Sequence, residues 1–201
     1  MEDTLETPLC KLANKYGTDK CPRIKHGYTP IYYKLLKSKR KIIKKVLEMG
    51  VGYFEGIQTS DFFYHEPSGV LYHKGASLKM WRDFFSDATI FGADIQPETV
   101  FEDRRIKTYV CNQTKQKDII RMLKQTGSDI DLFIDDGSHT KEDQIYLAKT
   151  ILPHLKEDVI YFIEDVTYPN YILENLKSHN CIIFNGGQKW RDDNLVLVKN
   201  K

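Results

Sequence analysis

Two pairs of acids, Asp135-Asp136 and Glu164-Asp165, each follow directly on a short apolar run, Leu132–Ile134 and Val159–Ile163. Such runs read as core strands of a parallel sheet, and open α/β sheets bind ligands outside the carboxyl ends of their strands. If these two strands are neighbours, about 4.8 Å apart, the carboxylates meet at one sheet edge. Like charges that close raise one another's pKa and call for a cation among them. Oxygen donors suit Mg2+, Mn2+ or Ca2+ better than zinc. The plainer reading has the acids capping the helices that follow; two pairs at two strand ends favour the metal. His139, three residues past Asp136, then stands where a general base is useful.

The elements that must position these residues are legible as a series. Val46–Met49 reads as a first strand running into Gly50-Val51-Gly52, half of a nucleotide-binding fingerprint. The third glycine is displaced by an aromatic-rich insertion, Tyr53–Lys74, which reads equally as a lid or as a crossover extension. Gly75-Ala76-Ser77 opens a helix to Phe85 whose free N–H groups suit an anion. Ile90–Ile95 is a second strand with Asp94 near its end, where a Rossmann-like sheet holds a ribose. A third strand, Ile106–Cys111, leads to Asn112-Gln113, and helices are expected over 117–125, from Thr140 and from Pro169. Residues 1–28 read as polar and irregular, and Thr29-Pro30 as the cap and first residue of a helix. Cys181–Phe184 and Leu195–Val198, with no helix between them, form a closing antiparallel pair. The expected fold is α/β: a Rossmann-like, doubly wound, mostly parallel seven-stranded sheet with a C-terminal antiparallel hairpin and helices on both faces. We expect one domain over 1–201, with an N-terminal cap or lid segment (1–45) on a core (46–201).

Composition excludes several classes. A net charge of +2 in 201 residues points to no nucleic-acid partner, and 41% hydrophobic content argues against disorder. The basic run Lys37–Lys45 reads as a solvated helix end. No apolar run is long enough for a membrane span, and the acidic N-terminus is unlike a signal peptide. Cys10, Cys21, Cys111 and Cys181 lack metal-ligand spacing and read as free thiols in a reducing, cytoplasmic setting.

The motifs Gly-Thr-Asp-Lys (17–20), His-Gly-Tyr-Thr-Pro-Ile-Tyr (26–32), Leu-Glu-Met-Gly-Val-Gly (47–52), Gly-Ala-Ser-Leu-Lys-Met-Trp-Arg-Asp-Phe-Phe (75–85), Gly-Ala-Asp-Ile (92–95), Ile-Asp-Asp-Gly-Ser-His (134–139) and Ile-Glu-Asp-Val (163–166) are spread along the chain. Together they resemble a family of S-adenosylmethionine-dependent sugar O-methyltransferases. The family methylates deoxysugars of macrolides and rhamnosyl groups of other natural products, and similar domains occur in large DNA viruses. The resemblance implies S-adenosyl-L-methionine and Mg2+ or Mn2+ as cofactors, with Asp136, Glu164 and Asp165 as metal ligands and His139 as general base. It places Glu48, Gly50, Gly52, Gly75, Ser77, Asp94, Asn112, Gln113 and Asp135 around the cofactor, and Thr18, Asp19, Lys20, His26 and Tyr28 in a substrate or lid segment. The implied partner is a sugar or glycan, with a homo-oligomer compatible.

The residue chemistry agrees, because a divalent ion chelated by neighbouring hydroxyls acidifies one of them and His139 can remove its proton. Rival expectations are a catechol-type O-methyltransferase, an NAD-dependent oxidoreductase using Gly50, Gly52 and Asp94, a nucleic-acid methylase, and a nucleotide-binding protein without catalysis.

Overall fold

The computed structural model describes residues 6–52, 74–187 and 190–200. The Tyr53–Lys74 insertion therefore lies, apart from Lys74, outside the described residues. Among the described residues, eight strands form one sheet: β1 (Lys45–Met49), β2 (Thr89–Asp94), β3 (Glu102–Asp103), β4 (Ile106–Val110), β5 (Leu132–Asp135), β6 (Ile160–Ile163), β7 (His179–Asn185) and β8 (Asn194–Asn200). Their order is β3-β4-β2-β1-β5-β6-β8-β7, parallel except for β3 and the pairings made by β8. The expected architecture is present, with the two-residue edge strand β3 bringing the expected seven strands to eight.

Side chains alternate between the two faces of a strand, and both faces are covered. Val46, Ile90, Leu132, Ile134 and Phe162 pack with residues of α1 (Pro8–Tyr16), α2 (Tyr28–Leu36) and α3 (Ala76–Phe84). Leu47, Met49, Phe91, Phe133, Tyr161 and Ile163 pack on the other side with α4 (Gln116–Thr126), α5 (Lys141–Ile151) and α6 (Pro169–Asn175). Strands buried on both faces account for the continuous apolar runs in the sequence. No helix among the described residues is long and apolar enough to cross a membrane.

The N-terminal segment departs most from the sequence reading. Residues 8–16 are a helix where an irregular stretch was expected. Thr7 accepts the Cys10 N–H at 3.1 Å, Pro8 opens the first turn, and Gly17 closes the helix at φ 77°. Its apolar residues Leu9, Leu12, Ala13 and Tyr16 repeat at helical spacing and both end signals are in the sequence, so the helix is legible there. Helix α2 begins at Tyr28, one residue before the expected cap. Thr29 is buried instead, with its hydroxyl 3.1 Å from Cys10 Sγ, joining α2 to α1. The Lys20 carbonyl takes the N–H groups of Tyr28 and Thr29 at 3.2 and 3.0 Å, the work a side-chain cap would have done.

If Thr7 caps α1 as described, Thr7→Ala lowers stability in urea by about 1 kcal/mol. An unchanged denaturation midpoint would show that the cap contributes nothing.

Candidate active site

Glu48, Ile134 and Phe162 stand at matching positions on β1, β5 and β6. Counting on by two along β5 and β6 carries Asp136 and Glu164 to the α1–α3 face, beside Glu48. Three carboxylates are thus aligned under the N-terminal helices, and one cation lies among them. Lys20, 1% exposed, places Nζ 2.5 Å from both Asp136 Oδ2 and Glu164 Oε2, and 3.7 Å from Glu48 Oε1. The other carboxylate oxygens are also used: Tyr32 Oη donates to Glu164 Oε1 at 2.5 Å, and Trp81 Nε1 donates to Glu48 Oε2 at 2.5 Å. Desolvation pulls the Lys20 pKa down, but the fields of Asp136, Glu164 and Glu48 outweigh it and keep the ammonium charged. Burial pushes Glu48 and Glu164 up despite Lys20. Asp136 is desolvated too, yet Lys20 and His139 hold it below the usual carboxylate range.

Beyond this ion cluster opens a cavity of about 720 Å³. Thr18, Asp19 and Lys25 line it from the N-terminal segment, and Gly50, Val51 and Gly52 from the turn after β1. Ser77, Asp94, Asn112, Gln113, Asp136, His139, Asp165 and Asp192 complete the wall that concerns us. Gly50 has φ 94°, and a Cβ there would stand 1.8 Å from the Asp136 carbonyl oxygen, so no other residue fits. Asp94 shapes the same turn, with Oδ2 accepting the N–H groups of Val51 and Gly52 at 2.8 and 3.1 Å. Gln113 Oε1 takes the Ser138 N–H at 2.7 Å, which sets the amide orientation and leaves Nε2 buried without a hydrogen-bond partner.

His139 sits between two acids, with Nε2 3.5 Å from Asp136 Oδ1 and Nδ1 3.5 Å from Asp165 Oδ2. Desolvation lowers its pKa, but the Asp136 hydrogen bond and the fields of Asp165 and Asp136 prevail and raise it to about 9. The side chain is 46% exposed, so solvent screening softens that pull. Asp165 reaches this position through a left-handed backbone, φ 51°, uncommon outside glycine and more tolerable for Asp than for most residues. Among the described residues, Asp136, His139 and Asp165 offer ligating atoms within 4.8 Å of one another, as do His26, Asp165 and Asp192.

The predicted site residues therefore fall into two groups. Thr18, Asp19, Gly50, Gly52, Ser77, Asp94, Asn112, Gln113, Asp136, His139 and Asp165 share the cavity. Lys20, His26, Tyr28, Glu48, Gly75, Asp135 and Glu164 are not on its wall. Gly75 instead starts α3 at φ 65°, against the Phe101 ring. Asp135 points to the α4–α6 face, where burial raises its pKa to about 8 although Gly137 and Tyr161 hydrogen bonds oppose it. Lys25, Tyr32, Asp192 and Asp193 were not foreseen. The signal for a buried cation was present in the parity of Glu48, Asp136 and Glu164, but nothing local marked Lys20 as its source.

No family model matches the chain. It is 31% identical over 173 residues to the L-olivosyl-oleandolide 3-O-methyltransferase of Streptomyces antibioticus, covering 84% of this chain and 39% of that protein. It is 31% identical over 158 residues to the demethylmacrocin O-methyltransferase of Streptomyces fradiae, covering 79% and 36%. The chain is a homologue of sugar O-methyltransferases. The chain spans well under half the length of these curated relatives. In fold it is similar to the MycE methyltransferase in complex with Mg and SAH, at TM-score 0.71 and 24% identity over 96% of this chain and 55% of that one.

Removing one partner of a buried ion cluster leaves the others uncompensated. In this sugar O-methyltransferase homologue, Lys20→Met should therefore cost about 3–5 kcal/mol in urea denaturation. Adding Glu164→Gln to Lys20→Met should recover part of that loss; a purely additive double variant would refute the coupling.

Proposed function

We propose that the chain transfers a methyl group from S-adenosylmethionine to a sugar hydroxyl, on a glycan or glycoside, in a divalent-metal-dependent reaction. What carries the reading is the convergence of Asp136, His139 and Asp165 on the cavity that Gly50, Gly52, Asp94 and Gln113 also line. The homology supports the acceptor class, since one of the relatives is named for a substrate that carries an L-olivosyl group.

The residues present fit both absent groups. Gln113 Nε2, an orphaned buried donor at the cavity, suits a heterocyclic acceptor such as adenine. The carboxylates of Asp136 and Asp165, with ligating atoms within 4.8 Å of one another, suit a hard divalent cation such as Mg2+ or Mn2+, and His139 beside them stays free to act as a base. When bound, the cofactor supplies an electrophilic methyl and the ion supplies charge that makes a sugar hydroxyl more acidic.

The chain's own contribution is placement and proton handling. Asp94 holds the glycine turn in shape, while Ser77, Asn112 and Gln113 present polar groups along the cofactor path. Asp136 and Asp165 would hold the ion, and they flank the His139 ring, fixing its plane. The neutral form of His139, a minority near pH 7 because its two acids raise the ring's pKa to about 9, accepts the hydroxyl proton, and the same acids stabilise the imidazolium that forms. Positioning a hydroxyl for in-line displacement supplies much of the rate. Glu164 we read as the counter-ion of Lys20 rather than as a ligand, because both its oxygens are engaged by Lys20 and Tyr32.

A glycoside screen with and without EDTA, read by NMR of the methylated position, tests the activity. Transfer to a catechol and to no sugar would replace the acceptor class. His139→Ala should reduce kcat by at least about a hundredfold while calorimetry shows unchanged S-adenosylmethionine affinity. Retention of near-normal kcat would remove His139 as the base. Glu164→Gln should leave Mn2+ affinity within about twofold, and Asp165→Asn should weaken it about tenfold or more. Equal losses in the two variants would return Glu164 to the ligand set.

A further inference from the structure

His26 is unused by that mechanism, yet it is built like a ligand. Its backbone N–H is held by the Asp19 carbonyl at 2.8 Å, and its ring stacks on Tyr28 at 4.8 Å and 5°. The ring is 1% exposed. Nδ1 lies 3.1 Å from Asp193 Oδ1, itself buried, so the carboxylate takes the ring proton on that side. The neutral tautomer then leaves Nε2 as a bare lone pair. An imidazole held through one nitrogen by a carboxylate is the usual support for metal ligation through the other.

Nε2 is buried and makes no hydrogen bond. It lies 3.5 Å from Asp165 Oδ1 and 4.0 Å from Asp19 Oδ2. Asp192 completes a set whose ligating atoms lie within 4.8 Å of one another. Asp165 Oδ1 faces His26 while Oδ2 faces His139, so its two oxygens serve different clusters. Tyr28 Oη also donates to Oδ1 at 2.8 Å, which leaves that oxygen a second lone pair.

We propose that His26 Nε2, Asp165 and Asp192 form a second divalent-cation site, separate from the Asp136–His139–Asp165 cluster and sharing one carboxylate with it. One imidazole and two carboxylates select Mn2+, Co2+ or Zn2+ over Mg2+ or Ca2+. The ligands come from three segments: the loop before α2, the end of β6 and the β7–β8 connection. An ion there clips the N-terminal segment and the C-terminal hairpin to the sheet beside the cavity. The competing occupant is a proton: an imidazolium at His26 would answer Asp165, Asp193 and Asp19 without any metal.

The test is a Co2+ titration of the full chain after EDTA treatment, followed by visible absorption and by calorimetric stoichiometry. The wild-type chain is expected to bind two equivalents, and His26→Gln and Asp192→Asn one each. Asp136→Asn should keep the His26-dependent equivalent, and Co2+ should raise the Tm of that variant. The partly exposed Asp192 keeps the test open if His26→Gln fails to fold. One equivalent in the wild-type chain that is insensitive to His26→Gln and Asp192→Asn overturns the site, as do two equivalents that survive both substitutions. A chain that binds the His26-dependent equivalent but transfers no methyl group leaves this site standing and removes the reading above.

Discussion

The ammonium of Lys20, sealed between Asp136 and Glu164 and close to Glu48, is the contact on which the rest of the site depends. A buried ion pair is weak evidence for net stability, because desolvation offsets much of the attraction. Its value here is in specifying one arrangement. Three acids on one sheet face call for a cation among them, and the chain supplies it from a loop 116 and 144 residues away in sequence from Asp136 and Glu164. That loop also lends the Lys20 carbonyl to the first turn of α2, so the cation and the helix are placed by the same few residues. Tyr32 and Trp81 donate to Glu164 Oε1 and Glu48 Oε2 and tie α2 and α3 to the cluster.

Asp165 occupies a comparable position on the outer side. Its left-handed backbone turns the chain away from the β6 direction, so that consecutive acids serve different environments. Glu164 looks inward to Lys20 and Tyr32, while Asp165 looks to His139 and His26. Adjacent carboxylates with opposed tasks are a direct consequence of period-two geometry ending in a turn.

Much of this fold was legible because its strands are buried on both faces and its helices are amphipathic. The β1–β2–β5–β6 series, the closing antiparallel pair, the Gly127 stop and the Thr140 cap can all be read from residue type. The cavity wall was legible where glycines and acids end strands. Less readable were features set by long-range packing. Helix α1 is not one of these: Thr7, Pro8 and Gly17 mark its ends, and Leu9, Leu12, Ala13 and Tyr16 repeat at helical spacing. Thr29 looked like a cap and is instead a buried link to Cys10. Asp136 was read as a metal ligand and Asp135 as a neighbour of the cofactor, and alternation sends them to opposite faces, Asp135 toward Tyr161 and Asp136 toward Lys20 and His139. Lys20 and His26 carried no local mark of burial, since only the folded sheet creates the negative field that holds them.

The contact between Gly50 and the Asp136 carbonyl has a consequence for how this site can change over time. The turn after β1 and the acid after β5 belong to separate segments, but they share one volume with no room for a methyl group. Neither can drift alone. A lineage that reshapes one must adjust the other in the same step, so the two segments are expected to vary together or not at all. New binding preferences then have to arise elsewhere, on the parts of the rim that do not touch that shared volume.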